Sequence, residues 1–408
     1  MLRPKKPIDV NKGTACNRCR GEHGIVLTFS DDGAMRRTTI TKFALLIGTT
    51  LVAWAADAQQ RPLLIGQSAA LTGSQTEFGR DMRDGALAGF EHLNRKGGVQ
   101  GRKIELVTLD DAGNEAKAKE NSASLIHEHK VLALIGYISR PSSVAGAKVA
   151  SEAKVPFIGP FSGTPALYKF DHYVFTIRAS YDDELAGMVK QLVTNGYKRV
   201  GFAYLNDARQ VNVPLVEKLL AEHGLKPAVL VGLDRTSGEA AQQGKELAAA
   251  NPDVLLALAN NVPLGGLIRE ARKNGNSTPF WIVSFVDSKG LVKELGPLAP
   301  GLVFAQIVPL PTRRTLRIVK EYQHDYAERF PNAALSFTSL EGYIAARTLG
   351  EALRRAGPSA TRESLVRALE SLQDFDLGDY FINFSPKSHN GSRFVDLTIV
   401  NKEGKFLN

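Results

Sequence analysis

The chain has 408 residues, of which 43% are hydrophobic and 23% charged, with a formal net charge of +9. This is globular composition with room for two domains. The positive excess is dispersed, without a basic stripe interleaved with aromatics, which argues against a nucleic-acid-binding surface.

The first 58 residues read differently from the rest. Met35-Arg36-Arg37 and Lys42 form a basic segment, residues 43–54 an apolar run, and Ala56-Asp57-Ala58 an A-x-A cleavage site. These are the parts of a secretory signal peptide, at about 35–58 within a leader 1–58 that is expected to be removed. Residues 1–34 are polar and out of place before an export signal, so Met35 is the expected start of translation. Thr38-Thr39 after the twin arginine favours the general secretory route. The apolar run has about a dozen residues against the roughly 20 that a spanning helix needs. No later segment is apolar enough, and no cysteine stands at the cleavage site to carry a lipid. The two cysteines, Cys16 and Cys19, lie in the leader; with His23 they are a weak metal or redox signal lacking a second ligand pair.

From Leu63 onward, short apolar runs alternate with helical patterns. Residues 63–66 read as a strand, 71–79 as a loop and about 81–94 as a helix closed by Gly97-Gly98. A strand over 104–109 ends in Asp110-Asp111, and a helix follows to about residue 129. The strand 131–135 leads into Gly136 and a helix to residue 154. Residues 155–158 are a buried strand stopped by Gly159-Pro160, and 173–177 close this half. The pattern then restarts, with strands at 200–205, 228–231, 254–259, 280–285 and 302–309. Helices at 213–223, 238–250 and 263–274 lie between them. Three amphipathic helices follow at 315–330, 339–356 and 362–372. A terminal strand pair, 381–384 with 394–400, is expected around the turn Ser388-His389-Asn390-Gly391.

Repeated βα units predict an α/β fold of two doubly wound parallel-sheet lobes with a cleft between them. More residues are present than one core usually holds. The helix-rich tail implies that the chain crosses back, which places lobe 1 at 62–180 plus 312–379 and lobe 2 at 181–311 plus 380–408.

Signatures of catalysis are missing. There is no P-loop, and no G-x-G-x-x-G follows a strand. Gly159-Pro160-Phe161-Ser162-Gly163 departs from a nucleophile elbow, because the serine is fourth and Pro160 cannot supply the strained turn. His127 and His129 diverge on one helix. Asp110-Asp111 reads as caps and a solvated turn before it reads as a metal pair. Nothing implies an enzyme, a metal or a cofactor.

What recurs is a loop of hydroxyls, glycine and an aromatic at successive strand ends. Thr72-Gly73-Ser74 with Phe78 is one, residues 139–143 a second and Phe161-Ser162-Gly163-Thr164 a third. Taken alone, the third is an ordinary strand-to-helix loop with Thr164 as N-cap and Pro165 as first helical residue. Three such loops in register suit a carboxylate on exposed backbone N–H groups and an aromatic wall for an apolar body.

These loops accompany Gly73-Ser74-Gln75-Thr76-Glu77-Phe78-Gly79, Asn94-Arg95-Lys96-Gly97-Gly98-Val99-Gln100-Gly101-Arg102, Asp110-Asp111 and Val155-Pro156-Phe157-Ile158-Gly159-Pro160. With them the chain, from about residue 63 to 406, resembles the periplasmic solute-binding proteins of branched-chain amino-acid-type ABC importers. The resemblance implies the type I periplasmic binding protein fold, two lobes joined by three crossovers that close like a flytrap on a ligand. It implies a soluble periplasmic monomer without cofactor, delivering a small molecule to an ABC permease in the inner membrane. Its implied ligand residues in lobe 1 are Ser139, Arg140, Ser142, Phe161, Ser162, Gly163 and Thr164, which hold a carboxylate, with Phe78 packing on the ligand. In lobe 2 they are Arg209, Asn260 and Ser284.

The chain departs from the family pattern at three of these positions. Asn206-Asp207-Ala208-Arg209-Gln210 lacks the usual aromatic-Gly pair, and Ser284 stands where amino-acid binders often carry an acid, although Asp287 is near. Arg140 adds a cation where a small hydroxyl is common. Arginines without an acid partner favour an anionic ligand, so an aromatic or short organic acid stands beside an amino acid as the expected ligand. A ligand-sensing receptor subunit of the same fold is the alternative function; a secreted hydrolase would need a matched nucleophile and base, and none is found.

Overall fold

Apolar runs without polar alternation become central strands here, because helices cover both faces of each sheet. The computed structural model describes residues 61–408, and residues 60–408 form one compact unit. The signal peptide, the expected start at Met35 and the Cys16/Cys19 pair lie outside the described residues.

The first sheet is built from β1 (Leu63–Ala69), α1 (Thr76–Arg95), β2 (Ile104–Asp110), α2 (Glu115–His127), β3 (Ala133–Ile135), α3 (Arg140–Glu152), β4 (Phe157–Ile158) and β5 (Val174–Phe175). Its strand order is β2-β1-β3-β4-β5, with every pairing parallel. The chain then passes into α4 (Tyr181–Thr194), β6 (Val200–Leu205), α5 (Arg209–Ala221), β7 (Val229–Leu233), α6 (Ala241–Ala250), β8 (Val254–Leu258), α7 (Asn261–Lys273), β9 (Phe280–Ile282), α8 (Ser288–Leu295) and β10 (Val303–Gln306). It returns for α9 (Arg317–Arg329), α10 (Phe337–Ala356), α11 (Arg362–Glu370) and the small pair β11 (Phe375–Asp376) and β12 (Phe381–Ile382). It ends in the second sheet with β13 (Asp396–Val400) and β14 (Phe406–Leu407). That sheet runs β14-β13-β10-β9-β8-β6-β7, antiparallel only at β13 and β14.

Each sheet therefore has a switch point, between β1 and β3 in the first and between β6 and β8 in the second. Ligands of open α/β sheets bind outside the carboxyl ends of strands at such points. The segments that follow β1, β3, β6 and β8 carry Phe78 in the first turn of α1, Ser139 before α3, Arg209 at the start of α5 and Asn260 before α7.

The returning helices belong to the first core. Ile318, Tyr322, Tyr343, Leu349 and Leu365 are buried with Ile65, Ile135 and Phe175. Helices α1 and α10 meet backbone to backbone. A Cβ on Gly85 would lie 1.8 Å from the Ser339 carbonyl oxygen, and one on Gly342 2.3 Å from that of Met82. Only glycine permits this approach. It brings the N-terminal end of α10 beside the strand-end loops.

The expected terminal hairpin does not form. Phe381–Ile382 pairs with Phe375–Asp376, and Asp396–Val400 pairs with β10 and β14 instead. Residues 388–391 serve another end, since Thr176 N donates to His389 O at 2.9 Å and Gly391 N to Thr176 O at 2.8 Å. The helix expected from residue 213 begins at Arg209 and carries Pro214 inside it. Helix α8 has no counterpart among the expected elements.

Candidate functional site

The three strand-end loops of the first sheet converge. Phe161 N donates to Tyr137 O at 2.8 Å, so the loop after β4 continues alongside the loop after β3. Phe161 packs with Met82 and Ile138, and the half-buried Phe78 closes the group with its ring centroid 5.5 Å from that of Phe161. This gives an aromatic wall at the switch point. Thr72 is drawn elsewhere, its hydroxyl donating to Asp110 at 2.6 Å. Asp110 and Asp111 are turn caps: Asp110 accepts from Leu71 N and Ala112 N, Asp111 from Gly113 N and Ser68 Oγ.

Beside the wall stands the N-terminus of α3. Ser139 caps it at φ 72° and accepts from Ser142 N, an extra constraint for a non-glycine residue. Ser142 is fully buried, and its Oγ has no hydrogen-bond partner. A buried hydroxyl left unpaired costs about 1–3 kcal/mol, which an arriving acceptor would recover. Arg140, the first residue of α3, is exposed and makes no ion pair among the described residues.

The loop at 161–164 is not the helix cap that its residue types suggest. Pro165–Leu167 is a single 3₁₀ turn, and the Thr164 side chain makes no capping bond. Phe161, Ser162 and Thr164 are 7%, 0% and 7% exposed. Tyr181 pins the loop: its N–H donates to Gly163 O at 3.0 Å and its hydroxyl lies 3.5 Å from Ser162 Oγ. A Cβ on Gly163 would lie 2.6 Å from the Tyr181 ring. The Gly163 N–H has no partner among the described residues.

The second-sheet positions differ in kind. Arg209 is exposed; its guanidinium lies 5.4 Å from the Tyr204 ring centroid and donates to the Tyr204 hydroxyl. Asn260 Oδ1 accepts from Arg235 at 3.5 Å, and Arg235 binds Asp207 bidentately at 2.7 and 2.9 Å. Arg235 holds the Asp207 carboxyl below the ordinary carboxylate range, and the charge of Arg140, which belongs to the other sheet, adds to the effect.

Ser284 is turned to a different task. Its Oγ donates to Glu184 and accepts from Arg178, both at 2.7 Å, while its N–H donates to Glu184 at 2.7 Å. Asp287 caps α8 by accepting from Gly290 N. Glu184 is buried and held by Ser284, while Asp287 is engaged in the α8 cap.

Three groups escaped the sequence reading. Arg235 sits in a polar turn with no local pattern to single it out. Arg178 and Glu341 are charges inside apolar runs, at Thr176-Ile177-Arg178-Ala179 and Leu340-Glu341-Gly342-Tyr343, and that misplacement was the available signal. Asp81, three residues after Phe78 on α1, is pushed up to about 6 by burial, and Lys289 of the second lobe counters this. Lys289 Nζ donates to Leu335 O at 2.8 Å, a direct contact between the lobes.

Two open α/β sheets, each with its own switch point, are the architecture of a two-lobed binding protein. Residues 62–405 match the family described as periplasmic binding protein, and the chain belongs to that family. Its fold is that of a possible leucine/isoleucine/valine-binding protein from Rhodopirellula baltica (TM-score 0.77, 31% identity, 86% of this chain and 97% of that one). It is also that of a substrate-binding periplasmic protein from Ralstonia solanacearum (TM-score 0.76, 30% identity, 85% and 99%). An amino acid binding protein of Pseudomonas aeruginosa is 24% identical over 221 residues, 53% of this chain and 59% of that protein. That organism's leucine-, isoleucine-, valine-, threonine-, and alanine-binding protein is 22% identical over 274 residues, 66% and 72%. No described helix is long and apolar enough to cross a membrane.

Proposed function

We propose that the chain is the extracytoplasmic substrate-binding subunit of an ABC importer. Its lobes close on a small carboxylate and present it, as a monomer, to a membrane permease. The observation that carries this reading is the unpaired, buried Ser142 Oγ at the N-terminus of α3, beside the Phe78–Phe161 wall. Helix N-terminal amides and a hydroxyl donor suit a carboxylate, and the rings suit an apolar body. Relatives named for leucine, isoleucine and valine fit both features.

The charges favour a ligand without a free amine. Glu184 is satisfied by Ser284, Asp207 by Arg235 and Asp287 by the α8 terminus, whereas Arg140 and Arg209 have no acid partner. Calorimetry against benzoate, succinate, leucine and glutamate tests this: the organic acids are expected to bind, and tight leucine binding with none to the acids would reject the anion class. Binding of no panel member, together with a partner other than a permease in pull-down, would favour the sensory receptor subunit.

A further inference from the structure

Arg178 lies on the passage from the first sheet to the second, between β5 and α4, and is fully buried. Its guanidinium reaches both lobes. From the first, the Phe161 ring centroid lies 4.7 Å from Cζ, and Glu341 Oε1 of α10 lies 3.5 Å from Nη1. From the second, Nη2 donates to Ser284 Oγ at 2.7 Å and lies 3.8 Å from Glu184 Oε1. Tyr168 fixes the backbone by donating to Arg178 O at 2.9 Å. Nε is buried without a partner. The side chain is therefore oriented by groups from both lobes at the expense of its own hydrogen bonding, which calls for a function beyond local packing.

We infer that Arg178 is a positioning residue that holds the ligand loop at 161–164 in register with the second lobe and so sets the balance between closed and open arrangements. A planar fork with five donors can contact Ser284, Glu184, Glu341 and the Phe161 face together; an ammonium cannot. The inference does not depend on which ligand is bound.

The network also carries two carboxylates for one cation. Glu184 is satisfied by two bonds from Ser284, while Glu341 has only the long contact to Arg178. Burial pushes Glu341 up to about 7, with Arg178 opposing and Glu184 adding to the rise. Asp183 of α4 acts on Glu184, and the neighbouring Tyr168, Tyr181 and Tyr380 hydroxyls are all raised by burial, so they stay neutral in this range. A raised acid pKa means that the packed network is favoured below it and weakened as pH rises through about 7. The closed arrangement should lose population as pH rises from about 4.5 to about 7 and change little above that.

The test uses full-length, ligand-free protein with Cys16→Ser and Cys19→Ser, spin-labelled at exposed positions of the two lobes through Lys148→Cys on α3 and Glu217→Cys on α5. Pulsed electron–electron resonance reads the interlobe distance. The parent is expected to shift toward longer distances from pH 5 to 7, and Glu341→Gln to abolish that shift. Arg178→Lys, which keeps the charge and loses the fork, is expected to raise the open-to-closed ratio at least about tenfold at both pH values, and Ser284→Ala several-fold, as losing hydrogen bonds to a charged group implies. Distributions of Arg178→Lys and Ser284→Ala that superimpose on the parent overturn the inference, as does a Glu341→Gln protein that keeps the parental pH shift. If Arg178→Lys does not fold, Ser284→Ala and Glu341→Gln decide the matter.

Discussion

The candidate ligand residues of the two lobes differ in chemistry. The first-lobe face is buried and uncharged at its centre: Phe161, Ser162, Gly163, Thr164 and Ser142 are held by backbone hydrogen bonds and by Tyr181. The second-lobe face is exposed and ionic, with Arg209, Arg235 and Asp207 on long side chains. A pre-formed, desolvated surface grips a common group, because its donors are already oriented and cannot reach water. A solvated ionic surface contributes less per contact and discriminates by charge. Under the proposed function, gripping falls to the first lobe and selection to the second.

The largest expected effect comes from breaking the first face. Gly163→Ala places a methyl against the Tyr181 ring and main chain, and overpacking of this kind costs about 1–3 kcal/mol. A denaturant melt should show that loss, with ligand binding weakened as well.

Ser142→Ala sharpens the contrast by separating binding from folding. The hydroxyl is unpaired without ligand, so its removal should leave stability unchanged or slightly raised. Affinity for the preferred carboxylate should fall by about 1–3 kcal/mol, the value of a hydrogen bond to a charged group. A lower melting temperature with unaltered affinity would show that the hydroxyl serves the fold instead.

On the ionic face, Arg209→Ala should weaken binding of a dianion such as succinate only several-fold. The deficit should shrink in high salt, because exposed charges are screened. Equal loss for neutral and charged ligands would contradict a selective second lobe.

The smallest effect concerns the flank between the faces. Asp81 has its pKa raised to about 6, chiefly by burial. Its contribution to stability is fully present below the unfolded value and is lost as pH rises through about 6. Asp81→Asn should therefore melt higher than the parent at pH 7, and the gap should close toward pH 4.

The βα alternation was legible because each strand and helix announces itself within a short window. The strand-end segments themselves were legible for the same reason, since those after β1, β3 and β4 each bring their hydroxyls and aromatics in a few consecutive residues; their role as a ligand cradle belongs to the proposed function. Failures came where the partner is remote. Asp396–Val400 looked like one arm of a hairpin, yet it pairs with β10, nearly a hundred residues earlier in the chain. The bonds of Ser284 to Glu184 and Arg178 were not legible either, because those partners lie about a hundred residues away in sequence. The Arg178–Glu341 contact joins residues 163 apart. Arg235 is paired to Asp207 only because the turns after the neighbouring strands β7 and β6 meet.

The central proposal is that the cleft recognises a carboxylate, its nearby acids Glu184 and Asp207 being already engaged by Ser284 and Arg235. Leucine and 4-methylpentanoate share the carboxylate and the apolar body and differ in that one group. Titration calorimetry of both ligands under one buffer condition tests the claim directly. The structure predicts that 4-methylpentanoate binds at least as tightly as leucine; leucine binding more than about tenfold tighter, or 1.4 kcal/mol, would contradict it.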